Sequence, residues 1–308
     1  MTGPMREDEL LARIRARSAD LAGVTGGAVV VGPGDDCAVV RSPGGGLLLL
    51  TVDQLVVGRH IDADAPIDLM ARKAVARSVS DIASMGGVPA WALATALLPS
   101  GYRWADELFD RMSHWARHWG APLVGGDLAT GDGPLSLSVT IGGAMPEGVA
   151  PVLRSGARVG DQIWLTGQVG GSLESGWHAL FEPRLEHGQR AARGGAHAMI
   201  DLSDGLGKDA ARVGVASGVV LEIEAAALPV SHHCRDWRHA AGAGEDYELL
   251  ICSPPQAGGQ PPFVGVEPEL IGPVGLVRAP KAGESPGAVI LDPHGVPHDA
   301  SALGWEHR

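Results

Sequence analysis

Aspartates recur where an apolar run gives way to a turn: Asp35-Asp36 in GPGDDCAVV, Asp53 in TVDQLVVGRH, Asp81 in SVSDIASMGG, Asp127 in LVGGDLATG, and Asp201 with Asp204 in MIDLSDG. One such residue is ordinarily a turn former or a helix cap. A repeated pattern points instead to carboxylates that converge in the fold, since sites are usually built at the ends of regular elements. Convergence has a cost: two like charges about 4 Å apart repel by roughly 4 kcal/mol at an effective dielectric of about 20. Lysine can offset little of it, because the chain holds only Lys73, Lys208 and Lys281. Hard divalent metals take oxygen ligands, and magnesium bridges carboxylates to substrate phosphates. The pattern therefore indicates a metal–phosphate site.

Other chemistries fit less well. The only Gly-Lys pair, Gly207-Lys208, lacks the leading Gly and the following Ser or Thr of a phosphate loop, and no G-x-G-x-x-G fingerprint occurs. Gly125-Gly126 and Gly170-Gly171 are then turns or places of close backbone approach. His232, His233, Cys234 and His239 have the types of zinc ligands without the spacing, and read as a solvated loop. His114 and His118 stand four apart with no accompanying carboxylate motif, and read as an exposed helix face. Ser203 has no base-bearing histidine near it in sequence and is not read as a nucleophile.

The elements that must position these residues are those of a mixed α/β chain. β-like runs fall at Val29 to Val31, Leu47 to Thr51, Trp91 to Leu97, Leu135 to Ile141, Gln162 to Thr166, Val219 to Ile223 and Glu248 to Cys252. A helix is expected after Asp64 and Pro66, with Ile67, Met70, Ala74, Ile82 and Met85 at helical spacing and a stop at Gly86-Gly87. It carries Asp81. A second helix presents Trp104, Leu108, Met112, Trp115 and Trp119 on one face, read as core packing. At 308 residues two α/β domains are expected, residues 1–148 and 149–308, divided within the turn-rich stretch 142–158 near Gly148. The stretches 253–262 and 280–286 read as loops.

A formal charge of -12 argues against nucleic acid, whose phosphates need clustered cations. Three cysteines, Cys37, Cys234 and Cys252, without C-x-x-C spacing fit a reducing compartment, so the expected location is the cytoplasm. The amino-terminal stretch is charged and helix-like, with no apolar signal core, and no run is long enough to span a membrane.

Taken in order, the motifs GPGDDCAVV, TVDQLVVGRH, KAVARSVSDIASMGGVPAW, LVGGD, RSGARVGD, MIDLSDGL, GEDYELL and GWEH resemble the thiamine-monophosphate kinase family, of the superfamily that includes aminoimidazole ribonucleotide synthetase and selenophosphate synthetase. The resemblance runs from Gly32 to Trp305. The D-x-L-V-x-G-x-H run, G-E-D-Y-E-L and the terminal Gly-aromatic-x-His favour the kinase over its relatives. It implies a two-domain aminoimidazole ribonucleotide synthetase-like fold, with amino-terminal strands forming a β-barrel across a homodimer. The implied reaction is ATP plus thiamine monophosphate giving ADP and thiamine diphosphate, with several magnesium ions. By motif position, Asp36, Asp53, Asp81, Asp127, Asp201 and Asp204 match metal ligands and Thr51 a further metal oxygen; Asp53, Asp81 and Asp204 are also expected to be catalytic. Gly126, Asp127, Arg154 and Ser203 match positions that contact ATP, and Trp119 one near the nucleotide. His60, Glu245 and Trp305 match substrate contacts, Trp305 through its ring against the cationic thiazolium.

The chain departs from the family pattern in places. Leu128, Ala129 and Thr130 stand where Thr-Thr-Arg is common, Ala243-Gly244 replaces a Gly pair, and the stretches 181–197 and 230–242 are short. These bear on substrate fit and rate. The alternatives are another ATP-dependent enzyme of the superfamily, or a non-catalytic protein that binds nucleotide or thiamine phosphate. Val24 to Gly34 lacks the reactive cysteine of selenophosphate synthetases, and the GWEHR terminus lacks that of the hydrogenase maturation type.

Overall fold

Residues 7–18 and 20–305 are described by a computed structural model, in which two β-sheets organise the chain. The first sheet is built from β1 (Val29–Val31), β2 (Ala38–Arg41), β3 (Leu47–Val56), β4 (Val88–Pro99), β5 (Leu123–Gly131) and β6 (Ser136–Ala144), in the order β1-β2-β3-β6-β4-β5. Its pairs are antiparallel except β4 with β5. The second comprises β7 (Gln162–Leu165), β8 (Ala198–Asp201), β9 (Val220–Glu224), β10 (Leu249–Ser253), β11 (Ile271–Arg278), β12 (Gly287–Leu291) and β13 (Pro297–Asp299), in the order β13-β12-β9-β11-β7-β10-β8. The architecture is the expected mixed α/β one.

Period-two alternation explains the first sheet. On β3 and β6, Leu49, Leu55, Leu137, Val139 and Ile141 are buried under the Ile67–Ser84 helix, while Val52 on the opposite face is 62% exposed. That helix begins after Pro66, whose fixed φ suits the entry, and ends before Gly86 at φ +75. It packs on the sheet with one side and on the second half of the chain with the other, so most of its residues are buried. The contact with the Leu185–Arg193 helix is close: a Cβ on Gly188 would sit 1.9 Å from the Ala83 carbonyl oxygen, so a larger residue there would push the helices apart. The first core also takes in Ala179, Phe181 and Tyr247 from the second half, the last two rings stacked with centroids 3.9 Å apart.

Several sequence expectations change here. Asp53 and Asp127 lie inside β3 and β5, not at the ends of elements. β5 lacks a strand signature because it is Gly-rich and most of it is exposed at the sheet edge, so no buried face imposes apolar alternation. Trp104 precedes the Ala105–His118 helix and is 58% exposed, so it leaves the buried face that holds Leu108 and Met112. The terminal histidine of the Gly-aromatic-x-His motif lies outside the described residues. Among the described residues no helix is long and apolar enough to cross a membrane.

Candidate active site

A polar stripe runs along the otherwise buried Ile67–Ser84 helix: Lys73, Arg77, Ser80, Asp81 and Ser84, at the three- and four-residue spacing that keeps side chains on one face. Each of the five meets a residue singled out by sequence. Ser84 Oγ donates to Asp36 Oδ2 at 2.7 Å, and Ser80 Oγ to Asp201 Oδ2 at 2.6 Å. Asp81 accepts from the Thr51 hydroxyl. Arg77 Nη2 stands 3.5 Å from Asp53 Oδ1, and Lys73 forms an ion pair with Glu245. Sequence reasoning found the partners but passed over Ser80, Ser84, Arg77 and Lys73. Polar residues at helical spacing among apolar ones were the available signal, because a buried polar group must find a partner.

At one end of the stripe, Asp36 from the turn before β2, Asp81 from the helix and Asp201 from the end of β8 each bring a carboxylate oxygen within 4.8 Å of the other two. Burial first, and then mutual repulsion, push Asp81 and Asp201 well above the usual carboxylate range, the neighbours of Asp81 being Asp53, Asp201 and Asp36. Asp35 is pushed up to about 6 by burial and by Asp36 beside it. Among the described residues one protein cation hydrogen-bonds to these carboxylates: Arg154 donates from Nε to Asp36 Oδ1 at 3.1 Å and from Nη2 to the same oxygen, while its backbone N–H reaches Asp35. Buried carboxylates flanked by hydroxyls form an oxygen donor set that fits a hard divalent cation.

Toward the other end of the stripe lies a pocket of about 120 Å³ whose walls include His60, Ser203, Asp204, Glu245 and Trp305, with Arg59 and Arg77. The three residues read as substrate contacts thus share one cavity, although they come from both halves of the chain. Glu245 has a left-handed backbone, φ +67, held by its N–H on the Ser203 carbonyl at 2.7 Å. Trp305 is tied down by its N–H on the Asp204 carbonyl at 2.9 Å and by Lys208 Nζ on its own carbonyl at 3.0 Å. The Arg59 guanidinium lies 5.0 Å from the Trp305 ring centroid. A ring face expected to meet a ligand cation is thus already next to a protein cation.

Not all the named residues meet. Asp204 stands outside the group of three, its Oδ2 held by Arg212 Nη2 at 2.6 Å and within 3.5 Å of Lys208 Nζ. Asp127 pairs in register with Thr95, Thr95 with Ser138 and Ser138 with Gln54, a row on the sheet face opposite to Thr51 and Asp53. Gly126 is pressed against β4, where a Cβ would fall 1.8 Å from the Ala94 carbonyl oxygen. Trp119 is 5% exposed, stacks on Trp115 and donates from Nε1 to Glu182 at 2.6 Å, so it packs in the core, as its helical spacing suggested. Among the described residues the only metal-competent group of His, Cys, Asp or Glu is the aspartate triad, so His232, His233, Cys234 and His239 form none.

Comparison with known proteins gives a consistent result. The family model described as AIR synthase related protein, N-terminal domain, matches residues 34–145. A thiamine-monophosphate kinase of Rhodopirellula baltica is 35% identical over 270 residues, covering 81% of this chain and 83% of that protein. One from Salmonella typhimurium is 38% identical over 255 residues, covering 73% and 77%. Among solved structures, AaThiL complexed with AMPPCP and TMP superposes with a TM-score of 0.79 over the whole of both chains at 25% identity.

Proposed function

The chain belongs to the thiamine-monophosphate kinase family, and from that premise we propose that it transfers the γ-phosphoryl group of ATP to thiamine monophosphate, giving thiamine diphosphate and ADP. One observation carries the reading: a single helix joins the converging carboxylates Asp36, Asp81 and Asp201 to the pocket of His60, Glu245 and Trp305. Ser84 lies eleven positions after Lys73 on that helix, a rise of about 16 Å at about 1.5 Å per residue. That span suits a triphosphate at one end and a two-ring phosphate monoester at the other.

The acceptor makes small demands. A phosphate monoester has a second pKa of about 6, so its oxygen is already largely deprotonated at neutral pH and no general base is required. What remains is alignment of two anions and neutralisation of their charge. Magnesium ions held by Asp36, Asp81 and Asp201, with Thr51 and Asp53 alongside, would supply that neutralisation. Arg154 adds a fixed positive charge at the triphosphate end, and Arg77 stands with Asp53 between the two ends. Ser203 and Asp204, at the wall of the pocket, are assigned to the region where the two substrates meet. Transfer is direct and in line, without a covalent enzyme intermediate.

Other expectations enter as part of the same proposal. The outward face of the first sheet exposes Val52, Leu93 and Leu97, and the edge strand β5 has no partner on its outer side among the described residues, which supports a homodimer closed through amino-terminal strands. Gly126 and Asp127 would then lie at the subunit boundary, which is where we assign their nucleotide and metal contacts. Separate sheets on either side of 145–161 support a division into domains near residue 148. Free thiols at Cys37, Cys234 and Cys252 support a cytoplasmic location.

The test is ADP release coupled to NADH oxidation, with magnesium and ATP, comparing thiamine monophosphate with thiamine. ADP release should depend on thiamine monophosphate and phosphorus NMR should show a diphosphate product. Release independent of the acceptor, or a phosphoenzyme that survives denaturation, would overturn the mechanism.

A further inference from the structure

Lys73 is among the largest of the fully buried side chains and shows no exposed surface. An ammonium in such a place is normally replaced by an apolar residue of similar size unless its charge is used, because desolvation is costly. Burial lowers its pKa while the Glu245 carboxylate raises it. Its two recorded partners are informative: it forms an ion pair with Glu245 and donates to the carbonyl oxygen of His60. These residues form part of the pocket wall, one contributed by the segment after β3 and the other by the segment before β10.

One partner has an unusual backbone and the other is fixed by a local turn. Glu245 keeps a left-handed backbone that few non-glycine residues adopt. His60 closes a short turn, its N–H on the Val56 carbonyl at 2.9 Å and its Nδ1 accepting from Val56 N–H at 2.9 Å. We propose that Lys73 is a positioning residue for the phosphate acceptor: its ammonium fastens Glu245 to the His60 turn, so that walls from the two halves of the chain meet the substrate as one preformed surface. A ligand entering such a surface does not bear the entropy of ordering it. The stripe thereby divides its labour, with Ser80, Asp81 and Ser84 serving the carboxylates and Lys73 serving the acceptor pocket.

The inference rests on the kinase reading, and the experiment separates the two. Wild-type enzyme, Lys73→Met, Lys73→Arg, Glu245→Gln and the Lys73→Met/Glu245→Gln pair are compared in steady-state kinetics with each substrate varied in turn, alongside melting curves. Lys73→Met should raise KM for thiamine monophosphate about tenfold or more while KM for ATP changes less than about twofold. Lys73→Arg should recover part of the loss. The double variant should be no worse than Glu245→Gln alone, because the lysine acts through that carboxylate. If the wild type does not phosphorylate thiamine monophosphate, the kinase reading fails. If it does, and folded Lys73→Met keeps both KM values or loses affinity for both substrates alike, Lys73 is not a positioning residue.

Discussion

Two carboxylate groups sit close together and are balanced in different ways. Asp204 and Asp209 face Lys208 and Arg212, two anions against two cations, and Asp209 also accepts the N–H groups of Asp204 and Gly205 at 3.0 and 3.1 Å. Asp36, Asp81 and Asp201, with Asp35 and Asp53 nearby, have two cations among the described residues, Arg154 on Asp36 and Arg77 on Asp53, and a few hydroxyls against five carboxylates. The first group has as many protein cations as carboxylates. The second carries repulsion that an external cation would relieve, and this is a firmer indication of a metal site than the number of acidic residues.

The contrast is tested most severely at Asp81. Asp81→Asn should lower kcat about 1,000-fold or more, several kcal/mol of transition-state stabilisation, yet melt higher than wild type in excess chelator because one repelling charge is gone. Added magnesium should stabilise the wild type and leave the variant nearly unchanged. Near-normal kcat in a folded Asp81→Asn protein would end the assignment.

At the balanced group the expected loss falls on folding. Arg212→Met leaves Asp204 and Asp209 with one cation, and we expect a cost of about 2 kcal/mol in urea unfolding, below the range for a fully buried pair because the guanidinium is partly exposed. Magnesium should not restore it. Full recovery with metal would mean that this group, too, is a metal site and that the distinction drawn between the two is false.

Asp246 provides the smallest effect and a third case, a carboxylate with hydrogen bonds and, among the described residues, no paired cation. It accepts from Gly170 N–H at 2.8 Å and from the Ser172 hydroxyl, yet burial pushes it up to about 8. Its folded pKa lies above the unfolded value of 3.8, so the folded state binds the extra proton between these limits. Wild-type stability from this group is therefore full at low pH and is lost as pH rises toward about 8. Asp246→Asn lacks that loss. Its melting temperature relative to wild type should rise by roughly 5 °C between about pH 5 and about pH 8.5, and a flat difference across that range would refute the burial argument.

The aspartates were legible because carboxylates beside Gly and Ser, at the edges of apolar runs, are visible without any fold, and the Ile67–Ser84 helix was legible from its period and its Pro and Gly limits. β5 was not, since an exposed Gly-rich edge strand carries no alternation. Asp53 was placed at a strand end because polar residues there look like a terminus; in the fold, β3 continues through Gln54 to Val56, paired along its length with β6.

Residue type and order alone determined the reaction class, the need for counter-charge and the mixed α/β character. Tertiary structure decided which carboxylates meet. Asp81 and Asp201 are 120 positions apart and are joined only because the helix is packed between a sheet of the first half and β8 of the second. It also decided which carboxylates are already neutralised, since a pairing such as Asp204 with Arg212 depends on distances of a few ångströms that spacing along a chain does not specify. Lys73 shows the same limit: a lysine in an apolar helix becomes informative only when the fold removes it from water and sets Glu245 against it.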